Sequence, residues 1–388
     1  MTYKIINGKV ISENEIAEKN VYFKDGKIVA VTNDDLAFDK EIDACGKYVS
    51  AGFIDIHVHG GAGYEFVDAT KESIVIPCNM HAKHGTTTIF PTLSAYSYDK
   101  IVTSLSAMKK HIADEDILPN IGGIHMEGPY FSPKQCGAQN PDEIRKPQKS
   151  EYDALIADYG DIIKRWSYAP ERDDGQEFLK ALNKAGIVAA AGHTDAEYDE
   201  MMPAYELGCK LITHLYSCTS TIVRKGGFRH LGIIETAYLY DDIFTETIAD
   251  GKHLPPELLK MIFKIKSNNA MCLVTDSIRY GGLTQEDVEN GSFKKENYII
   301  EDGIAKLPDK SAFAGSIATT DVLVRTCVKD AGIPLCDAVR MITKVPAEIM
   351  KLETKGSLEK DYDADIVIFD EDIKMDTVIV GGKIIYNA

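Results

Sequence analysis

The sequence has no Cys-x-x-Cys pair. Its 8 cysteines lie scattered along 388 residues, so nothing points to a disulfide framework and a reducing compartment is expected. It is also poor in positive charge, with 43 Lys and Arg against 60 Asp and Glu and a formal charge of -17. That balance predicts no nucleic-acid partner and no anionic membrane surface; an anionic small substrate would need a local basic cluster. No apolar run is long enough to span a bilayer, and the stretch Met1-Thr2-Tyr3-Lys4-Ile5 lacks the character of a signal peptide. The expected setting is therefore the cytoplasm. No Gly-x-Gly-x-x-Gly opens a helix, which leaves a doubly wound nucleotide-binding sheet without its usual mark. What is present is bulk: at 44% hydrophobic the chain can bury a large α/β core with a smaller domain beside it.

The stretch Gly52-Phe53-Ile54-Asp55-Ile56-His57-Val58-His59-Gly60 is the organising feature. On a strand, side chains two apart share a face, so His57 and His59 project together. Two adjacent imidazoles are half of a metal site, and the alternative is a buried strand whose histidines only hydrogen-bond.

On either side of the central region the pattern is hairpin-like. Lys4 to Ile11, Asn20 to Phe23 and Gly26 to Val31 alternate and are broken by Asn-Gly and Asp-Gly, for which type I′ turns are expected. Ala364 to Asp370 and Thr377 to Tyr386 repeat the pattern at the C-terminus. Two β segments each too small to stand alone predict one β-sandwich domain built from both termini, residues 1–51 and 347–388. Between them, residues 52–346 alternate short apolar strands with helical stretches. Strands are expected to end near His57, Phe90, Glu127, Ala169, Gly192, His214, Ala249 and Asp276, with helices such as Glu72 to His84, Gln176 to Ala185 and Pro255 to Lys266 between them. Such βα repetition predicts a (β/α)8 TIM barrel; an open doubly wound sheet is the alternative. Asp287 to Pro308 reads as irregular. A closing helical pair, Thr319 to Ala331 with Ser316 as its N-cap and Cys336 to Met350, follows.

In such a barrel the chemistry is built at the C-terminal strand ends. Here those ends carry His57 and His59, Glu127, His193, His214 and Asp276. Each taken alone has a bland reading, a core histidine or a capping acid. Their recurrence on successive strands favours ligation of a divalent ion, with Zn the first choice and Fe, Mn or Co as alternatives. Asp276, the only strong base of the last strand, reads as the proton shuttle. His81, His84 and His111 fall on helical segments and read as ordinary, and His125 as structural.

The series Gly52 to Gly60, Gly85-Thr86-Thr87-Thr88, His125-Met126-Glu127-Gly128-Pro129, Ala169-Pro170-Glu171, Gly192-His193-Thr194-Asp195, Thr213-His214-Leu215-Tyr216, Asp250-Gly251-Lys252-His253, Val274-Thr275-Asp276, Ala314-Gly315-Ser316 and Asp363-Ala364-Asp365-Ile366-Val367 resembles the amidohydrolase superfamily. Within it the chain is most similar to N-acetylglucosamine-6-phosphate deacetylases, nearly end to end. The resemblance implies an enzyme that releases acetate from a phosphorylated amino sugar. It further implies one metal on Glu127, His193 and His214, a second position at His57 and His59 bridged by Glu127, Asp276 as the catalytic aspartate, His253 as a substrate contact, and a homodimer. No lysine ends an early or middle strand to bridge two metals as a carbamate.

The chain departs from the family after His214, where Leu-Phe-Asn-Ala-Met is usual and Leu215-Tyr216-Ser217-Cys218-Thr219 stands. The resemblance makes Ser217 and Cys218 substrate-binding positions and leaves the phosphate contact and the sugar, gluco or galacto, open. Arg224, Lys225, Arg229 and His230, in a stretch without acids, are the local basic cluster expected to grip phosphate, with a solvated loop as the alternative. Two rival functions are a cyclic-amide amidohydrolase, which would need no phosphate cluster, and a non-catalytic barrel, which should lack a ligand or Asp276.

Overall fold

The computed structural model describes residues 1–13, 15–291 and 298–388. Among the described residues, eight parallel strands run in chain order around the barrel: Phe53–Val58, Thr86–Leu93, Ile124–Glu127, Ile163–Tyr168, Val188–Ala191, Leu211–Ile212, Phe244–Thr247 and Met271–Leu273, with the short Asn120–Ile121 paired to the second of them in the same sheet. Helices lie between them, among them Glu72–Lys83, Glu177–Ala185 and Pro256–Ala270. The expected (β/α)8 barrel is therefore what forms. Its sequence logic is visible in Glu177–Ala185, where Phe178, Leu179 and Leu182 are buried, the one-and-four spacing that puts them on a single helical face. Phe178 stands edge-on to Tyr130, Trp166 and Tyr168, and Gly186 in a left-handed conformation ends the helix.

The eighth strand stops short of the first, and buried polar groups complete the ring. Asp276 N donates to His57 O at 2.9 Å, and His59 N and Gly60 N donate to Ser277 O at 2.8 and 2.9 Å. Lower down, Thr275 Oγ1 donates to the buried Asp55 carboxylate at 2.5 Å. Closure by these contacts places Asp276 beside the two histidines of strand one.

A second unit is a sandwich of two sheets. Thr2–Ile6, Asn20–Lys24, Lys27–Thr32 and Lys40–Asp43 form one; Lys9–Ile11, Ile16–Glu18, Tyr48–Ala51, Ile366–Phe369, Met375–Val380 and Lys383–Asn387 form the other. The run Ile366–Phe369 is buried throughout because its two faces serve different cores. Ile366 and Ile368 meet Ile5, Val21 and Phe23 inside the sandwich, whereas Val367 and Phe369 join the barrel's outer core with Phe53. A strand covered on both sides has no reason to alternate.

Several local expectations change. Asn7-Gly8 is no hairpin: the chain crosses there from one sheet to the other, and a Cβ on Gly8 would come within 2.5 Å of Val49. Asp25-Gly26, by contrast, has both residues at positive φ between two paired strands, as a type I′ turn requires. Ser316 is not an N-cap; its hydroxyl donates to Thr275 O, and Thr319 occupies the cap position. The segment Cys336 to Met350 breaks at Thr343 into Leu335–Ile342 and Lys344–Ile349. Within Asp287 to Pro308 there is order: the end of the helix Gln285–Asn290 and a hairpin of Ile299–Glu301 with Ile304–Lys306, while 292–297 lie outside the described residues. Val345, Ala347, Ile349 and Met350 pack on Ile54, Ile56, Leu211 and Cys272, plugging one end of the barrel. We propose a division into barrel and two-part β-domain whose last boundary falls after this helix rather than inside it.

Candidate metal centre and active site

Glu127 is the last residue of strand three, and its carboxylate is the hub. Its Oε1 lies 3.2 Å from His193 Nε2, 3.0 Å from His214 Nε2 and 3.5 Å from His57 Nε2; its Oε2 lies 3.4 Å from His59 Nε2. Asp276 Oδ1 stands 3.4 and 3.1 Å from His57 Nε2 and His59 Nε2. Two adjoining groups result, Glu127 with His193 and His214, and His57 with His59 and Asp276, and all six residues are buried. Asp276 thus stands where a ligand of the second group would, beyond the proton-shuttle role expected for it.

The local backbone explains how short strands aim these side chains. His193, His214 and Asp276 follow their strands by two or three residues, and each takes a positive φ, 46°, 28° and 49°. For non-glycine residues that conformation is uncommon and needs surrounding structure to hold it. After Glu127 the chain turns at Gly128, φ 94°, where a Cβ would lie 2.6 Å from the Phe131 ring. Phe131 in turn stacks on His193 with centroids 4.4 Å apart. Packing of the Glu-Gly-Pro turn therefore fixes the acid and one imidazole together.

Each ring is also fixed from behind. Nδ1 of His193 faces Gln135 O at 2.8 Å, that of His214 Ser217 O at 3.0 Å, that of His59 Ser94 Oγ at 3.1 Å, and that of His57 Glu246 Oε2 at 3.1 Å. The carbonyl and carboxylate partners can only accept, so Nδ1 of His193, His214 and His57 carries a proton, the Ser94 hydroxyl can accept from His59 in the same way, and every Nε2 is left facing the carboxylates. Four imidazole nitrogens and two buried carboxylates converging there call for positive charge among them, supplied by protons or by an ion that displaces them, and a divalent ion with nitrogen and oxygen ligands fits this donor set. The electrostatics agree. Burial would raise the Glu127 pKa, but His57, His193, His214 and His59 hold it well below the usual carboxylate range. Burial likewise opposes ionisation of Asp276, and His57 and His59 outweigh it.

Sequence reasoning missed several residues here. Gln139 Nε2 donates to Glu127 Oε2 at 2.7 Å; it lies on a loop and carries no local signal. Glu246 and the fully buried Arg165 stand inside the barrel below the site. A charged residue in the middle of a short strand, as in Ile163–Tyr168 and Phe244–Thr247, was the available signal. His125, facing Ser167 Oγ at 2.7 Å and Thr92 Oγ1 at 3.2 Å, is kept neutral by burial.

Above the six residues opens a cavity of about 420 Å³, whose wall includes His59, Glu127, His193, His214, Ser217, Cys218, His253 and Asp276. His253 is held by Asp250, which accepts from its Nδ1 at 2.8 Å, with Phe313 edge-on to the ring. The basic cluster is not part of this wall. Arg224, Lys225 and Arg229 sit on the exposed hairpin Val223–Lys225 with Phe228–His230. Lys225 and His230 pair with Glu197, an acid the local sequence does not reveal, and Arg229 donates to Gly227 O at 3.2 Å. A two-stranded ribbon carries these side chains away from the pocket of its own chain.

A parallel barrel with histidines and carboxylates converging at its C-terminal mouth is the architecture of metal-dependent hydrolases. Residues 48–385 match the Amidohydrolase family, and the chain belongs to it. It is similar to the N-acetylglucosamine-6-phosphate deacetylase of Bacillus subtilis (strain 168), 32% identical over 97% of this chain and 95% of that one. The enzyme of the same name from Lysinibacillus sphaericus is 31% identical over 95% and 93%. Among solved structures, a mutant of the N-acetyl-D-glucosamine-6-phosphate deacetylase from Mycobacterium smegmatis, in complex with N-acetyl-D-glucosamine-6-phosphate, superposes with a TM-score of 0.89 at 26% identity, covering 100% of this chain and 99% of that one.

Proposed function

We propose that this protein hydrolyses the acetamide of N-acetylglucosamine-6-phosphate to glucosamine-6-phosphate and acetate. The observation that carries the reading is the convergence of Glu127, His193 and His214, with His57, His59 and Asp276 against them, on the floor of a cavity able to hold one sugar. One divalent ion would be held by Glu127, His193 and His214, and a second by His57, His59 and Asp276. Ions bound there would polarise the amide carbonyl and acidify a water. Asp276, held ionised, takes the proton of the attacking water and delivers it to the nitrogen as the C–N bond breaks. His253 contacts the sugar from the cavity wall. Ser217 and Cys218 stand where they meet the sugar ring or its phosphate, and they favour a second reading for the same machinery, N-acetylgalactosamine-6-phosphate.

The phosphate grip belongs to a homodimer in this reading. Arg224, Lys225 and Arg229 on a projecting hairpin reach a partner's cavity rather than their own, and the exposed Phe228 and Ile222 beside them supply apolar area for that contact. The setting is cytoplasmic. The test is acetate release from phosphorylated and unphosphorylated N-acetyl amino sugars, with metal analysis of the same preparation. Activity on N-acetylglucosamine-6-phosphate that disappears with chelation is expected. A metal-loaded protein inert towards every phosphorylated sugar overturns the proposal.

A further inference from the structure

Below the proposed metal positions, Arg165 and Glu246 form an ion pair with both side chains fully buried. Removing two charges from water is expensive, and an apolar pair of similar volume would serve stability as well. The arrangement of their remaining contacts shows what the pair does. Glu246, on the seventh strand, turns one oxygen to Arg165 and the other across the barrel to His57 Nδ1 at 3.1 Å. That same oxygen accepts the backbone N–H of His214 at 3.3 Å. Arg165, on the fourth strand, is itself held by Ile56 O at 3.0 Å and Thr213 Oγ1 at 3.1 Å, neighbours of the same two histidines. One carboxylate, pinned at its far side, therefore sets the ring of a strand-one histidine and the backbone of a strand-six histidine. Of the four inward rings, three lean on neutral oxygens, those of Gln135, Ser217 and Ser94; His57 alone leans on a carboxylate.

We propose that Glu246, pinned by Arg165, is the positioning residue of His57 and sets how tightly the His57, His59 and Asp276 position holds its ion. The inference rests on the reading of His57 as a metal ligand, and the experiment separates the two. Chelator-treated protein is titrated with Zn²⁺ and metal per chain is counted at defined free Zn²⁺. Removing one member of a buried pair strands the other, so both are changed together. E246L/R165M should bind the second ion at least about tenfold more weakly, with a clearly smaller loss at the first, whose ligand His214 gives up a backbone acceptor. E246Q/R165M, which restores a neutral acceptor, should recover part of both losses. E246D, which keeps the charge and shortens the reach by one methylene, should also weaken the second ion more than the first, and it guards against a double variant that does not fold. H57A combined with E246L/R165M should hold the second ion no more weakly than H57A alone, because the effect on that ion passes through that ring. Wild-type affinity for both ions in E246L/R165M and E246D, equal weakening of both, or uptake of a single equivalent by the wild type overturns the inference. Should H57A itself keep two ions at full affinity, the ligand reading fails and this inference with it; loss of the second ion in H57A but not in the Glu246 variants overturns this inference alone.

Discussion

Asp276 faces His57 and His59 at 3.4 and 3.1 Å and lines the cavity, so the proposed reaction gives one carboxylate two roles, beside the second ion and against the substrate. Asp276→Asn is expected to lower turnover about 100-fold or more by removing the proton acceptor. The ion on Glu127, His193 and His214 should stay. Metal counting beside steady-state kinetics checks this, and retained turnover would move the base elsewhere. His193→Ala and His214→Ala each take one of three ligands from that ion, so metal and activity should fall together. A variant with full metal and normal rate would dismiss the ligand set. The identities of these residues were legible because they recur at strand ends. Their support Gln139 was not, since it lies on a loop with no local pattern, and Arg165 and Glu246 showed only as charges inside short strands, a signal that does not say which groups they meet.

At the scale of elements, two features carry predictions. The hairpin Val223–Lys225 with Phe228–His230 projects its arginines into solvent. Replacing Arg224 or Arg229 by Ala should erase the preference for phosphorylated over unphosphorylated N-acetyl sugar, with little change in the slow unphosphorylated reaction. Equal effects on both substrates would sink the phosphate role. The second feature is Lys266 on the helix Pro256–Ala270. Its side chain is buried and Nζ donates to Ala237 O at 2.9 Å and Tyr240 O at 2.6 Å, closing the end of the helix Ile233–Leu239. Lys266→Met strands those carbonyls and should cost about 1–3 kcal/mol, read as a lower urea midpoint with kcat/KM unchanged. The sequence reading of the elements was accurate where an apolar period was long. It went astray at Asn7-Gly8, where the turn signal is real but the chain leaves one sheet for another, and at Ser316, whose hydroxyl finds a partner just past strand eight.

For the whole molecule, the metal-free and metal-loaded states differ in proton count. In the metal-free site burial opposes a charge on His59, but Asp276 and Glu127 raise its pKa to about 10. Its imidazole therefore carries a proton at neutral pH that an ion must displace. Metal uptake at pH 7 should release protons and affinity should rise with pH, measurable by calorimetry in buffers of different ionisation enthalpy. Uptake without proton release would show that the inward nitrogens are not the ligands.

The barrel, the β segments at both termini and the six inward residues follow from sequence alone, because strand period, strand-end position and residue type are local properties that one chain displays directly. Which atoms meet could be decided only by the closed fold. The left-handed φ of His193, His214 and Asp276, the carboxylate of Glu246 beneath His57, and the separation of the basic hairpin from its own cavity each depend on distances between strands far apart in the chain. Those distances exist only once the ring of strands has closed and the packing around it holds each turn in place.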